Sequence, residues 1–161
     1  MAPEPGAAWD SAALFVVDAD GSNLRRVTPS SVHAIGPAWS PDGSRLAFTG
    51  TDMVVNAAGT SVVDIKSDIY TIGAEGSGLA RLTHDGISGL PDWTAAGRLV
   101  FIRDAAPTTS EHWIMDADGG NQGRLGGSLA DLTAAGCTTC VYVAQVPVMG
   151  GLPRAYWRPL P

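Results

Sequence analysis

Three segments of this chain are variants of one pattern: residues 14–28 read LFVVDADGSNLRRVT, residues 68–83 read DIYTIGAEGSGLARLT, and residues 112–125 read HWIMDADGGNQGRL. In each, an acidic residue precedes glycine (Asp20-Gly21, Glu75-Gly76, Asp118-Gly119), and an arginine follows: Arg26, Arg81 or Arg124. A chain that repeats itself at this spacing builds its fold by stacking copies of one supersecondary unit, which constrains the architecture more than any local motif.

A second element lies between the copies. PAWSPDGSRLAFTG at Pro37–Gly50 matches PDWTAAGRLVFIRD at Pro91–Asp104, aligning Trp39 with Trp93 and Phe48 with Phe101. A decayed third copy follows, because DLTAAG at Asp131–Gly136 repeats DWTAAG at Asp92–Gly97 with Leu132 in the tryptophan position. Val141-Tyr142 then stands where Val100-Phe101 stood.

The runs Leu14–Asp18, Leu46–Thr49, Ile69–Ile72, Leu99–Ile102, Trp113–Asp116 and Val141–Val146 are short and rich in aliphatic and aromatic residues. They read as strands of roughly five residues. Asp-Gly and Glu-Gly pairs separate them, and there glycine supplies positive φ without a steric penalty, so neighbouring strands reverse tightly. From Pro37 to Thr83 this predicts four antiparallel strands in sequence, which is the blade of a β-propeller. Helix is not expected, since Gly and Pro interrupt the chain too often for an apolar stripe of helical period. The recurring Trp39 and Trp93 are expected to be buried between blades, each worth roughly 2–3 kcal/mol; recurrence at one register favours this over a ligand cage.

The segment Trp39-Ser40-Pro41-Asp42-Gly43, followed by Ser44–Phe48, resembles the marker of the TolB-type propeller repeat, a WD-like variant. Trp93-Thr94-Ala95-Ala96-Gly97 departs from it by lacking the Pro-Asp pair. The resemblance covers nearly all of Leu14–Val146. It implies an all-β fold of four-stranded antiparallel blades, and function much less firmly, because similar repeats serve a periplasmic protein of an outer-membrane assembly complex, the gating propellers of prolyl-oligopeptidase-type peptidases, and some polysaccharide lyases.

The register divides the chain into an N-terminal tail (residues 1–13), a half blade (14–28), a full blade (37–83), a second full blade (91–125) and a partial blade (130–161) drawing on Asp131–Thr133, Val141–Val146 and a strand near Arg154–Trp157. Closed propellers carry roughly four to eight blades, so this propeller is expected to be incomplete. The chain is expected to be a piece or truncated form of a longer protein; the alternatives are a ring completed by another copy as a homo-oligomer, or an open array with a covered edge.

A formal charge of −6 and a pI near 4.8 argue against a nucleic-acid surface, which needs an excess of Lys and Arg to neutralise phosphates. Lys66 is the sole lysine, and the arginines recur at matching positions, pointing to structural roles at strand ends. No run approaches the roughly 18 apolar residues of a membrane span, and Met1–Ala13 lacks the basic start and apolar core of a signal peptide. The chain as written reads as soluble, its compartment unknown: cytoplasmic as it stands, exported if an N-terminal part is missing.

Chemistry is sparse. Cys137 and Cys140 form a lone CxxC without the second ligand pair that zinc requires, and they read as a local disulfide or two idle thiols. Asp18-Ala19-Asp20-Gly21 and Asp116-Ala117-Asp118-Gly119 look like calcium loops, but the sixth residue after each glycine is Val27 or Leu125 rather than a closing glutamate. Hairpin turns are favoured. No GxSxG elbow or carboxylate pair stands out, and His84-Asp85 reads as a solvated loop. No catalytic, cofactor-binding or metal-binding residue is assigned, and no cofactor is expected.

Loops remain as the functional candidates. Between Phe48 and Tyr70 the connection is about ten residues longer than from Phe101 to Trp113. This insertion, Thr51–Ser67, carries Met53, Val54, Val55, Val62 and Val63, and is expected to form an extra hairpin on the face shared with the loops Pro29–Gly36 and His84–Leu90. The leading expectation is a non-enzymatic binding or scaffold module for a protein or peptide partner. The alternatives are the propeller of a prolyl-oligopeptidase-like hydrolase whose catalytic domain is absent, and a carbohydrate-binding propeller using exposed Trp113 or Tyr70.

Overall fold

The computed structural model describes residues 12–59, 61–106, 109–126 and 134–136. Among them are ten strands: β1 (Phe15–Val16), β2 (Arg25–Arg26), β3 (His33–Trp39), β4 (Arg45–Val55), β5 (Val62–Gly73), β6 (Ala80–Arg81), β7 (Ser88–Trp93), β8 (Leu99–Ala106), β9 (Thr109–Met115) and β10 (Gly123–Arg124). They form a two-stranded sheet, β1-β2, and two four-stranded sheets, β3-β4-β5-β6 and β7-β8-β9-β10, with every neighbour antiparallel. This is the expected half blade followed by two full ones. The sequence features at Asp131–Thr133, Cys137, Cys140, Val141–Val146 and Arg154–Trp157, and most of the N-terminal tail, lie outside the described residues.

The repeat survives down to individual hydrogen bonds. The amides of Val27, Leu82 and Leu125 donate to the carbonyls of Leu14, Ile69 and His112, closing the outer strand of each unit onto its third. The turn between those strands is drawn identically, with Gly21, Gly76 and Gly119 donating to the carbonyls of Asp18, Gly73 and Asp116 at φ of +84°, +84° and +89°. Such φ values favour glycine, which is why each acidic residue is followed by one. The outer strands are only two residues long because the chain leaves the sheet at Thr28 and Thr83, whose hydroxyls accept the amides of Leu14 and Ile69.

A bulge opens each full sheet. The pairing of β3 with β4 slips between Ile35 and Ala38, and that of β7 with β8 slips between Gly89 and Asp92. In each, two residues face one across the ladder: Gly36-Pro37 stand opposite Phe48, and Leu90-Pro91 opposite Phe101. Proline fits there because a bulge interrupts the ladder that its missing N–H would break. Gly36 takes φ +59°; Leu90, at the same register, takes +52°.

Core side chains lie between the sheets. Leu14, Val16 and Val27 of the half blade bury Ala34, Leu46, Phe48 and Ile72 of the next sheet. On its other side Ala47, Ile69 and Leu82 pack against Trp93, Leu99, Phe101 and Met115. Phe48 and Phe101 are almost fully enclosed, each contributing roughly 2–3 kcal/mol by area.

The tryptophans divide. Trp93 is 6% exposed, and its Nε1 donates to the carbonyl of Ala38 in the preceding sheet at 3.2 Å. Trp39, expected to be buried in the same way, is 38% exposed. The reason is local: the surface receiving Trp93 is built by β3 and β4, and the sheet before Trp39 has no such strands among the described residues.

Candidate functional site

The insertion does form a hairpin, but not a separate one: β4 and β5 run on from the blade, pairing in register from Arg45↔Gly73 to Val54↔Asp64 and, after a bulge that skips Val63, at Val55↔Val62. The turn closes through Asn56, whose amide donates to the carbonyl of Ser61 and whose carbonyl accepts from Gly59. At its base the hairpin joins the loop before β7. Ser67 donates to the Gly86 carbonyl, Ser67 and Ile87 form a parallel bridge, and a Cβ at Gly86 would lie 3.4 Å from the Lys66 side chain. Opposite, His33 of β3 pairs with Thr51. Hairpin and inter-blade loops therefore share one end of the sheets.

That end displays apolar side chains. Ile35, Val62, Val63, Ile65, Ile87 and Leu90 are all exposed. Isolated exposed aliphatics are ordinary, whereas a set gathered at one end of a scaffold is a feature of interaction surfaces. Leu90 is the most telling. Its amide donates to Thr49 Oγ1 at 2.8 Å, which holds the backbone where it is, and its side chain lies against Gly36 while remaining half exposed. A leucine in the left-handed region costs on the order of 1–2 kcal/mol relative to glycine.

Charged groups hold the loop beneath this surface. The Asp68 carboxylate, almost wholly buried, accepts from Arg81 at 2.6 Å, from the Thr83 hydroxyl at 2.8 Å and from the Gly86 amide at 3.3 Å. Arg81 in turn covers Tyr70, and its guanidinium is held further above its already high pKa by the Asp68 hydrogen bond. Asp85 accepts from the Ile87 amide and the Ser88 hydroxyl and pairs with Arg103 at 2.8 Å. Arg103 also lies over Trp113, 4.0 Å from the ring centroid, and donates to Gln122. The loop read from sequence as solvated is thus anchored at Asp85, while His84 beside it is exposed.

The remaining sequence candidates resolve as structure. Arg26 and Arg81 donate through Nε to the carbonyls of Thr28 and Thr83, an identical strand-end role. In the calcium-like turns the carboxylates are engaged locally: Asp18 accepts from Asn23, Asp20 from Ser22, and Asp116 from Asn121 and Arg98. Asp116 is accordingly held below the usual carboxylate range, by Asn121 first and then Arg98. Among the described residues no group of three or more His, Cys, Asp or Glu side chains could hold a metal.

Trp113 and Tyr70, expected as exposed glycan platforms, are neither free nor fully exposed. Trp113 lies beneath Arg103 and donates to Glu111, and Tyr70 stacks on Phe48 with ring centroids 5.7 Å apart. No helix among the described residues is long and apolar enough to cross a membrane.

No family model matches the chain. Over 37 residues it is 54% identical to the Tol-Pal system protein TolB of Nitrosomonas europaea, covering 23% of this chain and 9% of that protein. Over 143 aligned positions it is 29% identical to the Tol-Pal system protein TolB of Bordetella pertussis, covering 67% of this chain and 33% of that protein. The chain therefore spans about a third or less of the length of these relatives. A solved TolB-type structure from Agrobacterium tumefaciens superposes with a TM-score of 0.55 at 23% identity, over 70% of this chain and 40% of that one. A puromycin-hydrolysing peptidase of Mycobacterium tuberculosis superposes with a TM-score of 0.54 at 15% identity, over 72% of this chain and 21% of that one. The fold is all-β, built from four-stranded antiparallel blades like those of TolB-type propellers.

Proposed function

We propose that this chain is a non-enzymatic segment of a TolB-type propeller, with units at residues 14–28, 37–83, 91–125 and 130–161, that binds a protein or peptide partner at the hairpin end of its blades. The observation that carries the reading is Leu90. At a bulge where the sibling blade uses Gly36, a leucine is kept in the left-handed region and still leaves half its surface in water. Strain of this kind, unrepaid by burial, concentrates where a protein meets a ligand.

Ile35, Ile87 and Ile65 extend the surface, and the hairpin supplies an arm beside it. Relatives carry the name of the Tol-Pal system, so components of that system are the first partners to test. The experiment is quantitative crosslinking of those components to the full chain and to an Ile65→Asp, Leu90→Gly double variant. The proposal expects a crosslinked product at the hairpin end that the variant loses; capture of the same partner at equal yield by both chains would overturn it.

A second reading, that the blades gate a peptidase, is supported only by the fold of the mycobacterial peptidase. It predicts a GxSxG-bearing hydrolase segment in the same reading frame or on a partner chain.

A further inference from the structure

The hairpin arm has two edges, and they are treated differently. Beyond the blade, the pairs Asp52↔Lys66 and Val54↔Asp64 alternate with Thr51↔Ser67 and Met53↔Ile65. In an antiparallel ladder the backbone groups turn inward at every second pair and outward at the pairs between. Contacts at the base of the arm identify the outward set: Thr51 pairs with His33 of β3 on one side, and the Ser67 amide donates to the Gly86 carbonyl on the other. Two residues further along, Met53 and Ile65 therefore direct their N–H and C=O groups away from each other, to opposite edges.

The β5 edge is blocked. The outward amide of Ile65 donates to the Asp64 carboxylate at 2.9 Å, the bulge at Val63 breaks the line of the strand, and the Gly86-Ile87 loop covers its base. A bulge and a covering loop are devices that keep a sheet edge from pairing. Beyond Thr51 the β4 edge shows none of these among the described residues. β3 begins at His33, opposite Thr51, and no described strand continues its line, so Met53 and Val55 are the next outward positions of an open ladder.

Side chains along the arm specify what would complete that ladder. Met53 and Ile65 share one face, while Asp52, Val54, Asp64 and Lys66 share the other, where two exposed carboxylates stand with one exposed ammonium. A strand laid antiparallel to β4 places one residue opposite Met53 on the apolar face, flanked by residues opposite Asp52 and Val54 on the acidic face. We propose that the β4 edge of the arm takes up an extended partner segment in which apolar and basic residues alternate, paired antiparallel with Met53 and continuing the line of β3. Strand addition rests on the reading of the hairpin end as a partner surface, and gives that partner a conformation and a charge pattern.

The probe is an acetylated, fluorescent nonapeptide of alternating lysine and valine, titrated against the full 161-residue chain by anisotropy. A peptide of the same composition in separate lysine and valine blocks is the control. The alternating peptide is expected to bind at least about 10-fold tighter than the block peptide and to slow exchange of the Met53 amide. Met53→Pro removes an N–H that β5 does not use and is expected to weaken the alternating peptide about 10-fold, while Ile65→Pro, on the opposite edge, leaves it within about twofold. Asp52→Lys leaves the backbone intact and is expected to weaken it about fivefold at low salt.

Equal binding of the two peptides overturns strand addition, as does binding indifferent to both Met53→Pro and Asp52→Lys. Weakening by Ile65→Pro alone overturns it in favour of the β5 edge. A Met53 amide already protected in the peptide-free chain overturns it too, because the edge is then filled from within the chain. Tol-Pal components whose crosslinks survive Met53→Pro and Asp52→Lys but are lost with Leu90→Gly remove the added strand and leave the surface standing; components captured equally by all four chains remove both.

Discussion

Gly119 lies flat against the backbone of Leu82: a Cβ there would come 3.1 Å from the Leu82 carbonyl oxygen and 3.4 Å from its Cα. One blade thereby seats its acidic turn on the outer strand of the blade before it, and the same contact joins Gly76 to Val27. Gly21 shares their φ but meets nothing. The three glycines therefore separate backbone strain from steric approach. Gly21→Ala is expected to cost about 1 kcal/mol, the penalty for a Cβ at positive φ. Gly119→Ala and Gly76→Ala carry that penalty and also push two blades apart, and are expected to cost about 2–3 kcal/mol. Urea denaturation of the three variants checks the ranking; equal losses would mean that blade-to-blade contact adds nothing at these turns.

Asp68 gathers three donors from two segments, and removing its carboxylate leaves Arg81, the Thr83 hydroxyl and the Gly86 amide without it. Asp68→Ala is expected to destabilise by about 2 kcal/mol, below the value for a fully enclosed ion pair because Arg81 is about a third exposed and solvent screens it. Since the Gly86 bond ties down the loop beside the hairpin, limited proteolysis of the variant is expected to begin between Thr83 and Ser88. Cutting at an unchanged rate there would detach Asp68 from loop anchoring.

What was legible in the sequence were features enforced by backbone geometry. The acidic-Gly turns have to carry glycine at φ near +84°, so their recurrence exposed the unit and its strand order. The Thr51–Ser67 insertion was legible as a break in that recurrence. Trp39 shows the limit: its register was read correctly, but burial belongs to the neighbouring surface, and among the described residues the sheet before it has no counterpart of the strands that enclose Trp93. Leu90 could have been found by aligning Gly36-Pro37 with Leu90-Pro91, which reveals a leucine where the bulge calls for glycine. Nothing in the order of residues joins Asp85 to Arg103 and Trp113, because the loop and two strands that carry them converge only once the sheet has formed.

Acid should reach the turn between β3 and β4 late. Asp42 accepts from the Ser40 hydroxyl and from the amide and hydroxyl of Ser44, and these bonds, Ser40 first, lower its pKa to about 2. The carboxylate is thus favoured in the folded chain relative to the unfolded one, where it titrates near 3.8. Its contribution to stability is complete above the unfolded value and is lost as pH falls from there through about 2. Asp42→Asn is expected to flatten the stability–pH curve in that window while leaving the slope above pH 5 unchanged. Carbon-detected NMR titration of Asp42 reads the midpoint directly, and a value near 3.8 would show that the two serines do not favour the charged form.

Leu90 separates folding from recognition. Its left-handed φ strains the folded backbone, and glycine relieves that strain at the same bulge in the sibling sheet. Against this, Leu90→Gly loses the packing of half a leucine side chain on Gly36 and gives the unfolded chain more freedom, each worth on the order of 1 kcal/mol. The terms nearly cancel, so the melting temperature of Leu90→Gly is expected to stay within a few degrees of the parent. Leu90→Ala keeps the strain while losing the side chain, and should be the less stable of the two by about 1 kcal/mol. Both remove the exposed apolar group, so both should weaken partner crosslinking at the hairpin end. A variant series in which binding follows stability, with Leu90→Gly retaining the partner, would make Leu90 a structural residue and return the surface to the rank of ordinary exposed aliphatics.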